Sequence, residues 1–202
     1  SKPLIYWSIK AASESKYIDR VIVSTEDQEI ADIARSFSAE VPFIRPRELA
    51  RDESLSIETV IHALNNIQNV KEILLLQPTS PLRRTFDIDE IFKLKYKLNA
   101  ESVVSISDSG LNLDLFFNID TEKKISPISK NFKSMPRQNY NTLYKVNGAL
   151  YLSNKNFILK NRSFFNQDTI GYVMPEKFSI DIDSQLDWEI AELLMKKNLE
   201  IK

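Results

Sequence analysis

The tripeptide Asp-Ile-Asp occurs twice in this chain, at 87–89 and at 181–183, and the two copies sit in different surroundings. Asp87 and Asp89 open a run with helical spacing. Residues i and i+2 of a helix point to different sides, so these two carboxylates do not share one ion. Favourable charge at a helix N-terminus accounts for them. Asp181 and Asp183 instead follow the extended run Phe178-Ser179-Ile180 and precede a helix. In extended chain, i and i+2 face the same way. Two carboxylates on one face repel each other unless a cation or a proton joins them. Mg²⁺ takes hard oxygen ligands of this kind, one or two carboxylates with substrate phosphates completing its shell. The competing explanation is that Asp183 or Ser184 caps the last helix. Spacing alone leaves both open.

A second constellation is Leu76-Gln77-Pro78-Thr79-Ser80-Pro81-Leu82-Arg83, directly after the apolar run Ile73-Leu74-Leu75-Leu76. If that run is a strand of a parallel sheet, the turn lies at a carboxyl-end crevice, where open α/β sheets bind ligands. Two prolines stiffen it and would hold Gln77, Thr79 and Ser80 as fixed hydrogen-bonding groups. An ordinary strand-to-helix loop, with Thr79 or Ser80 as a cap, explains the same residues. Arginines at 45, 47, 83, 84 and 137, with Lys145, are candidate forks or point charges for phosphate or carboxylate. His62 is the only histidine and there is no cysteine, so Ser-His-Asp triads, histidine-rich metal sites, thiolate zinc sites and cysteine nucleophiles are excluded. Phe164-Phe165 reads as core rather than as a ligand platform.

The elements that would position these residues follow from periodicity. Helices are expected after Pro3, after a capping Asp27 (apolar face Ile30, Ile33, Ala34, Phe37), from Ser56, over 87–98, over 154–160 and over 184–197. Strands are expected over 21–25, 41–44, 73–76, 102–106, 144–153 and 169–174. This alternation predicts an α/β fold, three layers with a mostly parallel sheet and helices on both faces, in one domain over 1–202. Residues 107–144, rich in Asn, Lys and Ser, read as an extended hairpin or arm. The net charge of −1 shows no nucleic-acid footprint at the level of the whole chain. No run reaches the length of a transmembrane helix and no signal-peptide pattern opens the sequence, so the expectation is a cytoplasmic protein with no membrane partner.

Taken in order, the segments resemble the acylneuraminate cytidylyltransferases, which make CMP-sialic acids. The resemblance runs from Lys2-Pro3-Leu4-Ile5 through Arg20–Thr25, Glu29-Ile30-Ala31, Phe43–Pro46, Glu48-Leu49-Ala50, Ser56-Ile57 and Ile61–Leu64. It continues through Leu75–Arg83 and Asn147–Tyr151 to Ser179–Asp183, with Gln-Pro-Thr-Ser-Pro-Leu-Arg the most specific stretch. It implies a nucleotidyltransferase-type, Rossmann-like fold and transfer of CMP from CTP to a nine-carbon 2-keto sugar acid, N-acetylneuraminic or legionaminic acid, with release of pyrophosphate. It assigns Asp181 and Asp183 as Mg²⁺ ligands and Gln77 as a contact to the sugar near the reacting hydroxyl. Arg45, Ser54 and Ser56 match nucleotide-contacting positions. Arg137 and Lys145 match basic substrate-binding positions, Lys145 standing where some members have arginine. Tyr151, Phe164 and Phe165 match an apolar wall for the sugar's N-acyl group. The 107–144 arm matches a homodimerisation segment, with Asp114 near the place where the family carries a lysine that reaches the neighbouring subunit.

The family opens with a strand and a basic loop that binds the CTP phosphates, and the resemblance here begins after both. The expectation is a fragment of a longer reading frame that on its own binds CTP weakly. Two alternatives are a non-catalytic dimerising remnant and a glycosyltransferase-like enzyme using Asp-x-Asp for a sugar nucleotide. The two Asp-Ile-Asp copies give a direct contrast: Asp183→Asn should cut turnover by orders of magnitude with the fold intact, and Asp89→Asn should do little. Comparable losses in both, measured as pyrophosphate release, would contradict the assignment.

Overall fold

A computed structural model of the chain describes residues 2–51, 53–128 and 142–200. Helix α1 (Leu4–Ser13) follows Pro3, whose ring fixes φ at a value compatible with a helix start. The Asp27 carboxylate caps α2 (Gln28–Ser36) by accepting from the Ile30 amide at 3.0 Å. Helix α3 (Ser56–Asn66) leads to strand β1 (Glu72–Leu75). Helix α4 (Thr85–Leu98) starts two residues before the periodicity predicts, because Asp87 folds back to accept from the Arg84 amide at 3.1 Å. It ends at Asn99 in the left-handed conformation. Strand β2 (Ser102–Asp108) then leads into a small antiparallel hairpin, β3 (Phe117–Ile119) with β4 (Ile125–Pro127). The chain returns through the long β5 (Tyr144–Asn154) and finishes with α5 (Lys155–Asn161), β6 (Ile170–Val173) and α6 (Gln185–Glu200).

The main sheet has the order β1-β5-β2-β6. Strands β1, β2 and β6 run one way and β5 runs against them. The reversal has a topological cause. The chain leaves β2 at one end of the sheet, makes the hairpin, and re-enters β5 from the same end. It therefore needs no helical crossover and arrives antiparallel. The 21–25 run, expected as a strand, is extended but outside this sheet. Its pairing among the described residues is one parallel bridge, Ile22 with Glu40, carried by Val23 N to Glu40 O at 2.9 Å and Glu40 N to Val21 O at 2.8 Å.

Alternate side chains of the strands enter two different cores, the signature of a sheet covered on both faces. Val103, Leu150, Leu152 and Leu74 pack with α1 and α4 through Ala11, Ala12, Ile88, Ile91 and Phe92. Val104, Tyr151, Ile73 and Leu75 pack with α3 and α5 through Val60, Leu64, Phe157 and Ile158. The fold is thus three layers, helix–sheet–helix.

The pairing of β2 with β5 carries one irregularity. Val104 pairs with Tyr151 but Ile106 pairs with Val146, so residues 147–150 of β5 bulge opposite Ser105 alone. Side chains replace the lost ladder bonds. The Ser105 hydroxyl accepts from the Leu150 amide at 2.8 Å and donates to Asn147 Oδ1 at 2.5 Å. Asn147 Oδ1 also accepts from the Ala149 amide at 3.2 Å, and Asn147 Nδ2 donates to Ser179 Oγ at 2.9 Å. All three polar residues are buried, so removing one partner strands the others. Asn147→Ala should destabilise the protein by about 1–3 kcal/mol, read as a melting temperature lower by several degrees. An unchanged melting temperature would contradict this account of the bulge.

Candidate active site

Two loops and the bulge converge at the carboxyl ends of β1 and β6. The turn after β1 is closed by the Ser80 amide donating to Gln77 O at 3.2 Å, with Pro78 and Thr79 as its central residues. The loop after β6 is sewn to that turn by Ile182 N to Thr79 O at 2.9 Å. Gly148, at φ +73° in the bulge, lies beneath both. A Cβ placed on Gly148 would lie 2.7 Å from Asp181 Oδ2, 2.7 Å from Gln77 Oε1 and 3.0 Å from Ser80 Oγ. Glycine is therefore required twice, for its backbone angle and for the space. The three side-chain oxygens meet over its bare Cα. The buried Ser80 hydroxyl stands 3.3 Å from Asn147 O and 3.4 Å from Asp181 Oδ1.

Of the two cap candidates in the sequence, Ser184 caps α6. Asp187 completes the cap: Asp187 Oδ2 accepts from the Ser184 amide at 2.9 Å, the Ser184 hydroxyl at 2.7 Å and the Asp183 amide at 3.3 Å. The bond from Ser184, with Lys145 among the weaker influences, holds the Asp187 carboxyl below its usual range. Asp183 lends only its backbone. Its carboxylate is exposed and accepts no hydrogen bond among the described residues, while Asp181 has only the long contact to Ser80. The donors fit a hard divalent cation. Among the described residues no cluster of three or more His, Cys, Asp or Glu surrounds them, so such an ion would complete its shell with substrate oxygens and water. The other copy behaves as a helix start: Asp87 pairs with Arg84 at 2.8 Å and Asp89 accepts from Ser15 at 2.7 Å.

Tyr151, Phe164 and Phe165 come together, with Tyr151 5.3 Å from Phe164 and 6.2 Å from Phe165, ring centre to ring centre. Phe164 is core, packed with Val60 and Leu64, as the sequence suggests for the pair; Phe165 is not, being 45% exposed. Burial, then the Asp181 carboxylate, pushes the Tyr151 hydroxyl up.

The basic candidates divide. Arg45 pairs with Glu26, whose carboxyl it holds below the usual range, and its buried Nε has no hydrogen-bond partner among the described residues. Ser54 Oγ bonds Glu48 O at 3.0 Å, and exposed Ser56 begins α3. No described contact joins Arg45, Ser54 or Ser56 to Gln77 or Asp181. Lys145 is exposed at the start of β5. Arg137 lies outside the described residues. Arg83 and Arg84 are not free forks as their sequence position suggested. Arg84 is spent on Asp87, with Phe178 beneath it, and Arg83 turns inward to main-chain carbonyls. His62 packs edge-on against Phe43, a structural role. Asp114 sits in a short turn of the arm, its amide donating to Asn112 Oδ1 at 3.1 Å.

Sequence reasoning assigned no role to Asn147 or Gly148. The signal was present: Gly148 interrupts the expected strand 144–153, and a glycine inside a strand marks a bulge or a close backbone approach.

Known proteins resemble this chain in sequence and in fold. A family model described as Cytidylyltransferase matches residues 1–200. CMP-N,N'-diacetyllegionaminic acid synthase of Legionella pneumophila is 36% identical over 205 residues, covering 98% of this chain and 88% of that protein. N-acylneuraminate cytidylyltransferase of Escherichia coli is 34% identical over 97% of this chain but 46% of its own length, so the chain spans about half of that relative. The solved structure of CMP:2-keto-3-deoxy-manno-octonic acid synthetase complexed with CTP superposes with a TM-score of 0.69 at 14% identity, over 97% of this chain and 88% of that one. A 4-diphosphocytidyl-2C-methyl-D-erythritol synthase also gives 0.69, at 12% identity over 96% and 91%. At such identities these two establish the fold alone, the nucleotidyltransferase α/β architecture. The matches in sequence go further: the chain belongs to the cytidylyltransferase family.

Proposed function

We propose that this chain activates a sialic-type nonulosonic acid with CTP. The anomeric hydroxyl oxygen of the sugar acid forms a bond to the α-phosphorus. The bond from that phosphorus to the bridging oxygen breaks, pyrophosphate leaves, and the hydroxyl proton passes to solvent. The observation that carries this reading is the meeting of Gln77, Ser80 and Asp181 over Gly148. Relatives named for legionaminic, N-acylneuraminic and pseudaminic acids support the substrate class.

In this reading Asp181 and Asp183 hold Mg²⁺, which when bound offsets charge on the triphosphate. Gln77 contacts the sugar near its reacting hydroxyl. Tyr151, Phe164 and Phe165 exclude water around the N-acyl group. Lys145 and Arg137 attract the sugar carboxylate, and Arg45, Ser54 and Ser56 face the nucleotide. The hairpin arm exposes Leu111, Leu113, Leu115, Ile119, Ile125 and Ile128. An apolar surface of that kind fits a homodimer contact. Among the described residues no helix is long and apolar enough to cross a membrane, and the nucleotide substrate suits the cytoplasm.

Incubating the protein with CTP, Mg²⁺ and either N-acetylneuraminic or legionaminic acid should release pyrophosphate, and chelating the metal should abolish it. Release that needs no sugar acid, or none with either acid, would overturn the proposal. Phe165→Ala should raise KM for the sugar acid about tenfold, the loss expected when a partly exposed apolar contact worth ~1.4 kcal/mol is removed. KM for CTP should stay within about twofold. A parallel rise in both would show that the aromatic pair does not face the sugar.

A further inference from the structure

Arg83 is 3% exposed, yet no carboxylate lies within ion-pair distance of it among the described residues. Its donors go to neutral oxygens on three separate segments. Nε donates to Ala149 O at 2.8 Å in the bulge, one terminal nitrogen to Ser8 Oγ at 2.6 Å on α1, and the other to Gln77 O in the turn. Burial pushes the guanidinium down to about 9, opposed by Asp181 and then Asp87, so it is cationic at neutral pH. Desolvating a charge is costly, and a packing role alone would be served at least as well by an apolar side chain. What a guanidinium adds is a rigid planar fork that fixes several acceptors relative to one another.

Those acceptors bracket the site. The Gln77 carbonyl takes the Arg83 bond and the Ser80 amide, so both its lone pairs are used and the main chain at Gln77 is pinned. Ala149 adjoins Gly148, over which the Gln77 amide and the Asp181 carboxylate meet. The fork therefore sets the Gln77 backbone against the surface its side chain must cross.

We propose that Arg83 is a positioning residue for Gln77, holding its main chain so that the side-chain amide faces Asp181 across Gly148. In its kinetic consequence this rests on the proposed function. The test is a double-mutant cycle on pyrophosphate release by the full chain, with Arg83→Lys, Gln77→Ala and the pair, each checked for folding by thermal melting. Arg83→Lys keeps the charge and loses the fork. It should lower kcat about tenfold to a hundredfold, the scale of an ångström-sized misplacement, with KM for CTP within about twofold. On top of Gln77→Ala it should cost less than about twofold more, because its target is already gone. Equal losses in both backgrounds, following the melting temperature, would overturn the proposal. Arg83→Gln, which keeps two N–H donors, replaces the lysine variant if that does not fold. Should the native chain release no pyrophosphate, the functional reading fails separately. The crystal structure of the variant still decides this one: Gln77 leaving its place over Gly148 while the Ser80–Asp181 contact persists supports it, and an unmoved Gln77 overturns it.

Discussion

A backbone without a side chain governs the site. Gln77, Ser80 and Asp181 each put an oxygen within 3.0 Å of where a Gly148 Cβ would be. A methyl group there would collide with two loops at once, and the residue's φ of +73° adds strain for any L side chain. The two loops belong to different strands, β1 and β6, at opposite edges of the sheet. They can meet only because β5, with β2 beyond it, bulges between them. The bulge in turn exists because Ser105 and Asn147 satisfy the backbone groups it strands. A chain of dependence runs from two buried polar side chains, through one glycine, to the juxtaposition of a carboxylate and an amide.

The electrostatics follow the same hierarchy. The Asp-Ile-Asp at 181–183 can leave its carboxylates available because Ser184 and Asp187 take over the helix cap. The copy at 87–89 cannot, because the Asp87 carboxylate itself closes the helix start on the Arg84 amide and Asp89 is engaged by Ser15. The same three letters are structural in one place and chemically free in the other. The difference is set by whether a neighbouring serine and carboxylate relieve them. Arg83 supplies a fixed positive charge behind the site without neutralising it through a direct ion pair.

Much of the fold was legible in the sequence, and the misses have physical causes. The continuous apolar run of β1 and the 3.6-residue stripes of α2 and α3 are local signals, and they hold. The Asp27 cap holds for the same reason. The direction of β5 is not local. It depends on the chain re-entering the sheet from the end at which it left, which no periodicity encodes. The 21–25 run has the β-branched composition of a strand, but pairing requires a partner in space, and among the described residues its one bridge is to Glu40. Gln77, Asp181 and the aromatic group were visible as motifs. Gly148 and Asn147 were visible only as an anomaly, a glycine in the middle of a strand. Arg83 counts in the sequence among the candidate forks for phosphate or carboxylate, because composition does not say which way an arginine points.

The central claim is that a divalent cation with nucleotide sits where the turn after β1 and the loop after β6 meet over Gly148. Paramagnetic broadening of assigned backbone amides by Mn²⁺, added with CTP to the full chain, tests this without relying on turnover. Signals of Thr79, Ser80, Gly148 and residues 181–184 should disappear first. Those of Glu72, Glu101 and Asn154, at the other end of the sheet, should persist. Broadening centred elsewhere, or none at residues 148 and 181–184, would contradict the account.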